Sequence, residues 1–179
     1  MRRLVLIACC CVALSQATVA MAISSPSPDY LIKAQYLYRF AMFVSWPSEA
    51  FMAADAPIVI CLAGSDPFGE VLDRTVQDNR INKRSITVRR LQGGQDPKQC
   101  QILFISALEN ARVADTVNRL EGHPTLIVGE TPDFAQRGGM INFIIKDNKV
   151  GLEVNVDAAK RARLTISSRV LDIARIVRG

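Results

Sequence analysis

Pro57-Ile58-Val59-Ile60-Cys61-Leu62-Ala63-Gly64-Ser65-Asp66-Pro67-Phe68-Gly69 decides the fold. Ile58 to Leu62 is a short, unbroken apolar run bounded by Pro57 and Gly64, which reads as a strand buried on both faces. Asp66-Pro67 then resembles a helix cap followed by a first-turn proline. The spacing predicts a helix from Pro67 to about Val76 that buries Phe68, Val71 and Leu72. Downstream the pattern repeats. Ser85 to Leu91 alternates, with Ile86 and Val88 on one side and Thr87 and Arg89 on the other. Gln101 to Ser106 is a second continuous apolar strand, and a helix is expected from Glu109 to Leu120 with Val113, Val117 and Leu120 on one face. Thr125 to Gly129 is a third buried strand. Met140 to Lys146, a turn at Asp147-Asn148 and an alternating Val150 to Val156 read as a hairpin. A last amphipathic helix is expected from about Ser168 to Val177, with Arg169, Arg175 and Arg178 solvated. Strands alternating with helices define an α/β fold: a single layered domain with a mixed, partly parallel sheet flanked by helices.

Upstream of the strand, Ser27-Pro28 reads as the start of a helix. Leu31, Ala34, Tyr38 and Ala41 recur at helical spacing, with Leu37 and Met42 beside them. The helix should end near Val44, because Trp46-Pro47 disfavours further α conformation. Seven of the chain's eleven aromatic residues fall between Tyr30 and Phe51. Such a cluster marks either a core-packing helix or a patch for a ligand or partner.

The N-terminus stands apart. Arg2 and Arg3 precede an apolar run from Leu4 to Leu14, and Ala20-Met21-Ala22 offers a small-x-small cleavage site. Residues 1–22 read as a secretory signal peptide, residues 23–29 as a Ser/Pro linker and residues 30–179 as the folded domain. An uncleaved anchor, or a lipoprotein modified at Cys9 within Leu6-Ile7-Ala8-Cys9, are the alternatives. Cleavage after Ala22 leaves 157 of the 179 residues, lowers the formal charge from +5 to +3 and removes three of the five cysteines. Cys61 and Cys100 remain. An even count in an exported chain points to a disulfide, with two buried free thiols as the alternative. Bridging them closes a loop of about 40 residues, worth roughly 4 kcal/mol on the chain-entropy argument.

Few residues suit catalysis. The sole histidine, His123, excludes a multi-histidine metal site within one chain and has no Cys-x-x-Cys or HExxH frame around it. An oxidised cysteine pair is a poor nucleophile. Gly64 to Gly69 occupies the strand-to-helix position of an anion site but lacks the lysine and glycine spacing of a P-loop. Arg74, Arg80, Lys83, Arg84, Arg89 and Arg90 form a basic segment, tempered by Asp73 and Asp78. It fits a solvated face, an acidic partner or a membrane surface better than nucleic acid. Neither a cofactor nor a metal is expected.

Several segments resemble one family when taken in order. They are Lys33 to Phe40 running on to Phe43-Val44-Ser45-Trp46-Pro47; Ile60-Cys61-Leu62 with Asp66 to Gly69; Cys100 to Ser106; Gly129-Glu130 with Phe134; Gly138 to Phe143; and Val150 to Asn155 through Ala158-Ala159 to Leu164-Thr165-Ile166-Ser167-Ser168. Together they resemble the YfiR-like family of small periplasmic proteins. The resemblance implies a repressor that binds the periplasmic sensor portion of a membrane-bound diguanylate cyclase, YfiN. Repression would lower cyclic di-GMP signalling and biofilm formation. It also implies an outer-membrane lipoprotein partner of the YfiB type, a tendency to form homodimers and a structural disulfide. Cys61 and Cys100 match the family's core pair; a second pair found in some members is missing here.

The expected partner-binding residues are Glu153, Arg161 and Ile166 in the C-terminal matching segment. Tyr36 and Trp46, with Pro47, form a second candidate, because an exposed aromatic near a helix end suits interfaces. The rival reading is a periplasmic small-ligand-binding sensor, motivated by the aromatic cluster and the turn at Asp66. An enzyme acting through Cys61 or Cys100 is a third.

Overall fold

The computed structural model describes residues 26–93 and 95–178. The segment read as a signal peptide, and the start of the linker, lie outside the described residues.

Helix α1 spans Pro28–Phe43 and begins where Ser27-Pro28 places it, although the Ser27 side chain makes no capping bond. Its buried stripe is Lys33, Ala34, Leu37, Phe40 and Ala41. This is rotated from the expected one: Leu31 and Met42, read as core-facing, are exposed. The reason lies in Phe40, which outcompetes the smaller residues for the sheet. The chain turns extended at Val44, two residues before Trp46-Pro47, as the proline requires. Val44–Ser45 is strand β1. It pairs antiparallel with the much later Thr165–Ile166, here β9.

The chain then runs through β2 (Ile58–Ala63), α2 (Glu70–Val76), β3 (Arg80–Ile81), β4 (Arg84–Leu91), β5 (Ile102–Ile105), α3 (Val113–Arg119) and β6 (Leu126–Gly129). It continues through β7 (Ile141–Lys146), β8 (Lys149–Asn155), α4 (Val156–Arg161), α5 (Ser168–Leu171) and β10 (Ala174–Val177). Eight strands form one sheet in the order β10-β8-β7-β6-β5-β2-β4-β3. From β4 to β7 the neighbours are parallel, β8 turns back antiparallel to β7, and β10 runs parallel to β8. This is the mixed, partly parallel α/β sheet that the alternation of elements demanded.

Strand alternation sorts the core into two layers. Phe104 meets Phe68 and Phe143, and Phe143 meets Phe40, so α1 lies on this face of the sheet. Cys61 and Leu103 point to the opposite face.

Three expected elements change. The helix placed at Pro67 starts at Glu70, because Gly69 has φ +54° and breaks the approach. Phe68 and Leu72 are buried all the same, while Val71 is half-buried. The helix placed at Glu109 is interrupted there and becomes regular only from Val113. The last helix, placed over residues 168–177, stops at Leu171. Ala174 to Val177 instead extends along β8, pairing Ala174 with Leu152 and Val177 with Asn155. Ile173, Ile176 and Val177 are β-branched, and the open backbone of β8 supplied ladder partners that a surface helix could not match.

Candidate partner interface

In the sheet, β2 has β4 on one side and β5 on the other, both parallel to it. Their connections therefore diverge at the carboxyl ends of β2 and β5, the usual place for a ligand in an open α/β sheet. Here the chain fills the anion position itself. Asp66 Oδ1 accepts from the backbone N–H groups of Phe68 (2.7 Å) and Gly69 (3.1 Å). Asp66 Oδ2 accepts from Arg90 Nε at 2.8 Å, and Arg90 also donates to Asp73 and to the Gly69 carbonyl. These carboxylates hold the Arg90 guanidinium well above its ordinary pKa, the Asp73 hydrogen bond most of all. Across the sheet at the same carboxyl edge is a groove of about 310 Å³, lined by Gly64, Gln92, Glu109, Arg112, Asp115 and Arg119 among others.

The N-terminal end of α1 is locked to the same edge. Glu130 follows β6. Its carboxylate accepts from Lys33 Nζ at 2.6 Å, from the Tyr30 hydroxyl at 3.1 Å and from the Ala107 N–H at 3.1 Å. Lys33 and Glu130 side chains are 8% and 5% exposed. Burial, followed by the Glu130 charge, pushes the Tyr30 phenol up to about 12. Neither charge was singled out from the sequence. A lysine on a helix normally reads as solvated, and only its place between Tyr30 and Ala34 on the inward side marked it.

Cys61 and Cys100 are joined, with Cα atoms 5.8 Å apart on neighbouring buried segments. His123 shares a 3.0 Å hydrogen bond with Thr125, whose hydroxyl donates to the Cys100 carbonyl at 2.7 Å. With that proton committed, the neutral His123 ring donates through Nδ1. Burial, with nearby Lys98, holds its pKa below the ordinary 6.5. Among the described residues, no group of three or more His, Cys, Asp or Glu side chains could hold a metal ion. The basic segment is largely consumed internally. Arg84 donates to the Ala53 and Ala56 carbonyls and stacks on Phe51; Arg89 bonds Gln99; Arg74 pairs with Glu70.

The expected partner residues do not share a surface. Glu153 is buried on the sheet face opposite α1. It accepts from Asn142 at 3.1 Å and pairs with Arg175, and so offers no free carboxylate. The hairpin end that should have left it solvated is covered once β10 docks. Beside it, the Asn142 Oδ1 and Thr131 Oγ1 atoms are buried without a hydrogen-bond partner. Ile166 is buried in β9 against Val44. Arg161 stands exposed at the end of α4. Tyr36 and Trp46 are both half-buried and pack against different neighbours. Tyr36 packs 6.0 Å from Phe143, while Trp46 Nε1 donates to the Gln101 carbonyl before β5.

Around Tyr36, one of the expected partner residues, lies an apolar groove whose other members were not expected at an interface. Ile32, Gln35, Tyr36 and Arg39 line one end of it along α1, around a volume of about 210 Å³. Tyr36 and Arg39 also border a much smaller cleft of about 30 Å³, with Phe43, Leu152, Val170 and Ile173. The spacing of 32, 36, 39 and 43 was a second helical stripe, masked by the more continuous core stripe beside it.

Among the described residues, the buried charges of this α/β domain are tied into internal pairs, and an apolar surface is left along the outer side of α1. The chain belongs to the YfiR/HmsC-like family, which it matches over residues 30–175. That is a regulatory family, associated with the YfiN-type cyclase system. No curated protein matches the chain.

Proposed function

We propose that the chain is a periplasmic repressor of a membrane-bound diguanylate cyclase of the YfiN type. The family match over residues 30–175 carries this reading. In it, residues 1–22 direct export and are removed, residues 30–179 form the working domain, and the Cys61–Cys100 bridge forms in the oxidising compartment. The protein binds the sensor portion of the cyclase and favours its inactive state. Repression of this kind needs only differential affinity for two states of the partner. An outer-membrane lipoprotein of the YfiB type competes for the repressor and releases the cyclase, and the repressor acts as a homodimer. Exposed Arg161 fits a contact with one of these partners. Deletion of the gene should raise cyclic di-GMP and biofilm formation. An unchanged level, with the cyclase present, would overturn the proposal.

The carboxyl-edge groove of about 310 Å³ favours a second reading, a small-ligand sensor. A ligand at a hundredfold excess over its Kd should stabilise the domain by about 2.7 kcal/mol. No thermal shift with any candidate solute would count against it.

A further inference from the structure

We propose that the groove between α1 and α5 receives an acidic amphipathic helix from a partner protein. Ile32, Tyr36 and Phe43 run along α1: Ile32 and Tyr36 border an open hollow of about 210 Å³, and Tyr36 and Phe43 meet Val170 and Ile173 across a shallow cleft of about 30 Å³. Ile32 is 46% and Ile173 58% exposed, a cost in water that an occupant would remove. From Ile32 to Phe43 the stripe runs for roughly 16 Å, about three helical turns. That length matches apolar anchors at i, i+3 or i+4, and i+7 on a docked helix.

Charge supplies the rest. Arg39 and Arg169 flank the groove, and neither makes an ion pair among the described residues. Arg169 stacks over the Phe43 ring, and Asp172, the C-cap of α5, pairs with neither arginine. Two unpaired guanidinium groups beside an apolar trough call for carboxylates on the flanks of the occupant. A second copy placed here by a two-fold axis would set these arginines against their counterparts.

This inference rests on the regulatory reading only in taking the occupant to be a partner protein. Its test places a photo-crosslinking p-benzoylphenylalanine at Gln35 in the full chain, expressed in its own host. The crosslinked peptide is then identified by mass spectrometry. The expected adduct is a helical segment of another protein with acidic residues beside its apolar stripe. Its yield should fall by about tenfold in an Arg39→Glu/Arg169→Glu protein, and by several fold at about 0.5 M salt in the unaltered protein. The salt arm decides the matter should the charge-reversed protein fail to fold. Adducts only with a second copy, only with lipid, or insensitive to charge and salt would overturn the inference, as would no adduct. An acidic helix from a protein outside any cyclase system would leave the inference standing and remove the repressor reading. Deletion of the gene raising cyclic di-GMP, with no adduct at Gln35 in the otherwise unaltered protein, would do the reverse.

Discussion

Lys33 sits on the buried stripe of α1, and Glu130 is what makes its charge tolerable there. Removing one partner strands the other. Lys33→Met should therefore cost about 3–5 kcal/mol in denaturant unfolding, and Lys33→Met/Glu130→Gln should recover most of it. The glutamine keeps an acceptor for the Tyr30 hydroxyl and the Ala107 N–H. Burial of Tyr30, with the same carboxylate second, produces an alkaline effect. The Tyr30 phenol is pushed up to about 12 from an ordinary 10.0. A group whose pKa is raised by folding contributes stability that is complete below its unfolded value and is lost as pH climbs through the folded one. Stability should thus fall between about pH 10 and pH 12, and Tyr30→Phe should flatten that part of the profile. The cysteine pair acts on its own. Cys61→Ser should lower stability by a few kcal/mol and leave Cys100 free to react with a thiol reagent once the protein is unfolded. The pair was legible because export and an even count point the same way. Lys33 and Glu130 were not legible: 97 residues separate them, and each alone resembles a surface charge.

Among the elements, the loop between β6 and β7 is set by one ring. Phe134 is fully buried and lies between Gly129 and Gly139. A Cβ on Gly139 would fall 2.1 Å from that ring, and one on Gly129 2.3 Å. Phe134→Ala should cost about 3–5 kcal/mol, and Gly139→Ala about 1–3 kcal/mol through overpacking. The double variant should lose clearly less than the sum, because the alanine methyl then enters the space the ring has left. The buried strands β2, β5 and β6 were legible as short apolar runs between turn signals. The end of the chain was not. Ser168 to Val177 carries arginines at helix-compatible spacing, and only the free edge of β8, fixed by distant residues, turns Ala174 to Val177 into a strand. Asp66 does not cap α2 as expected but closes the turn before it through the Phe68 and Gly69 N–H groups, and its second oxygen holds Arg90, a pairing across 24 residues with no local signal.

For the whole molecule, alternation of strand and helix specified a partly parallel α/β sheet, and the sheet order then placed two distinct surfaces on it. One is the polar carboxyl edge, stapled by Arg90. The other is the apolar groove outside α1, whose lining draws on α1, β8 and α5 and so existed in no single stretch of sequence. Family membership over residues 30–175 joins that architecture to regulation. The proposed repression of a diguanylate cyclase is tested most directly by intracellular cyclic di-GMP. The measurement compares the parent strain, the strain lacking this gene, the complemented strain, and a strain lacking both this gene and its cognate cyclase. The expected result is a rise on deletion, a return on complementation and no rise when the cyclase is also gone. A level that stays flat on deletion while the cyclase is present and active would contradict it.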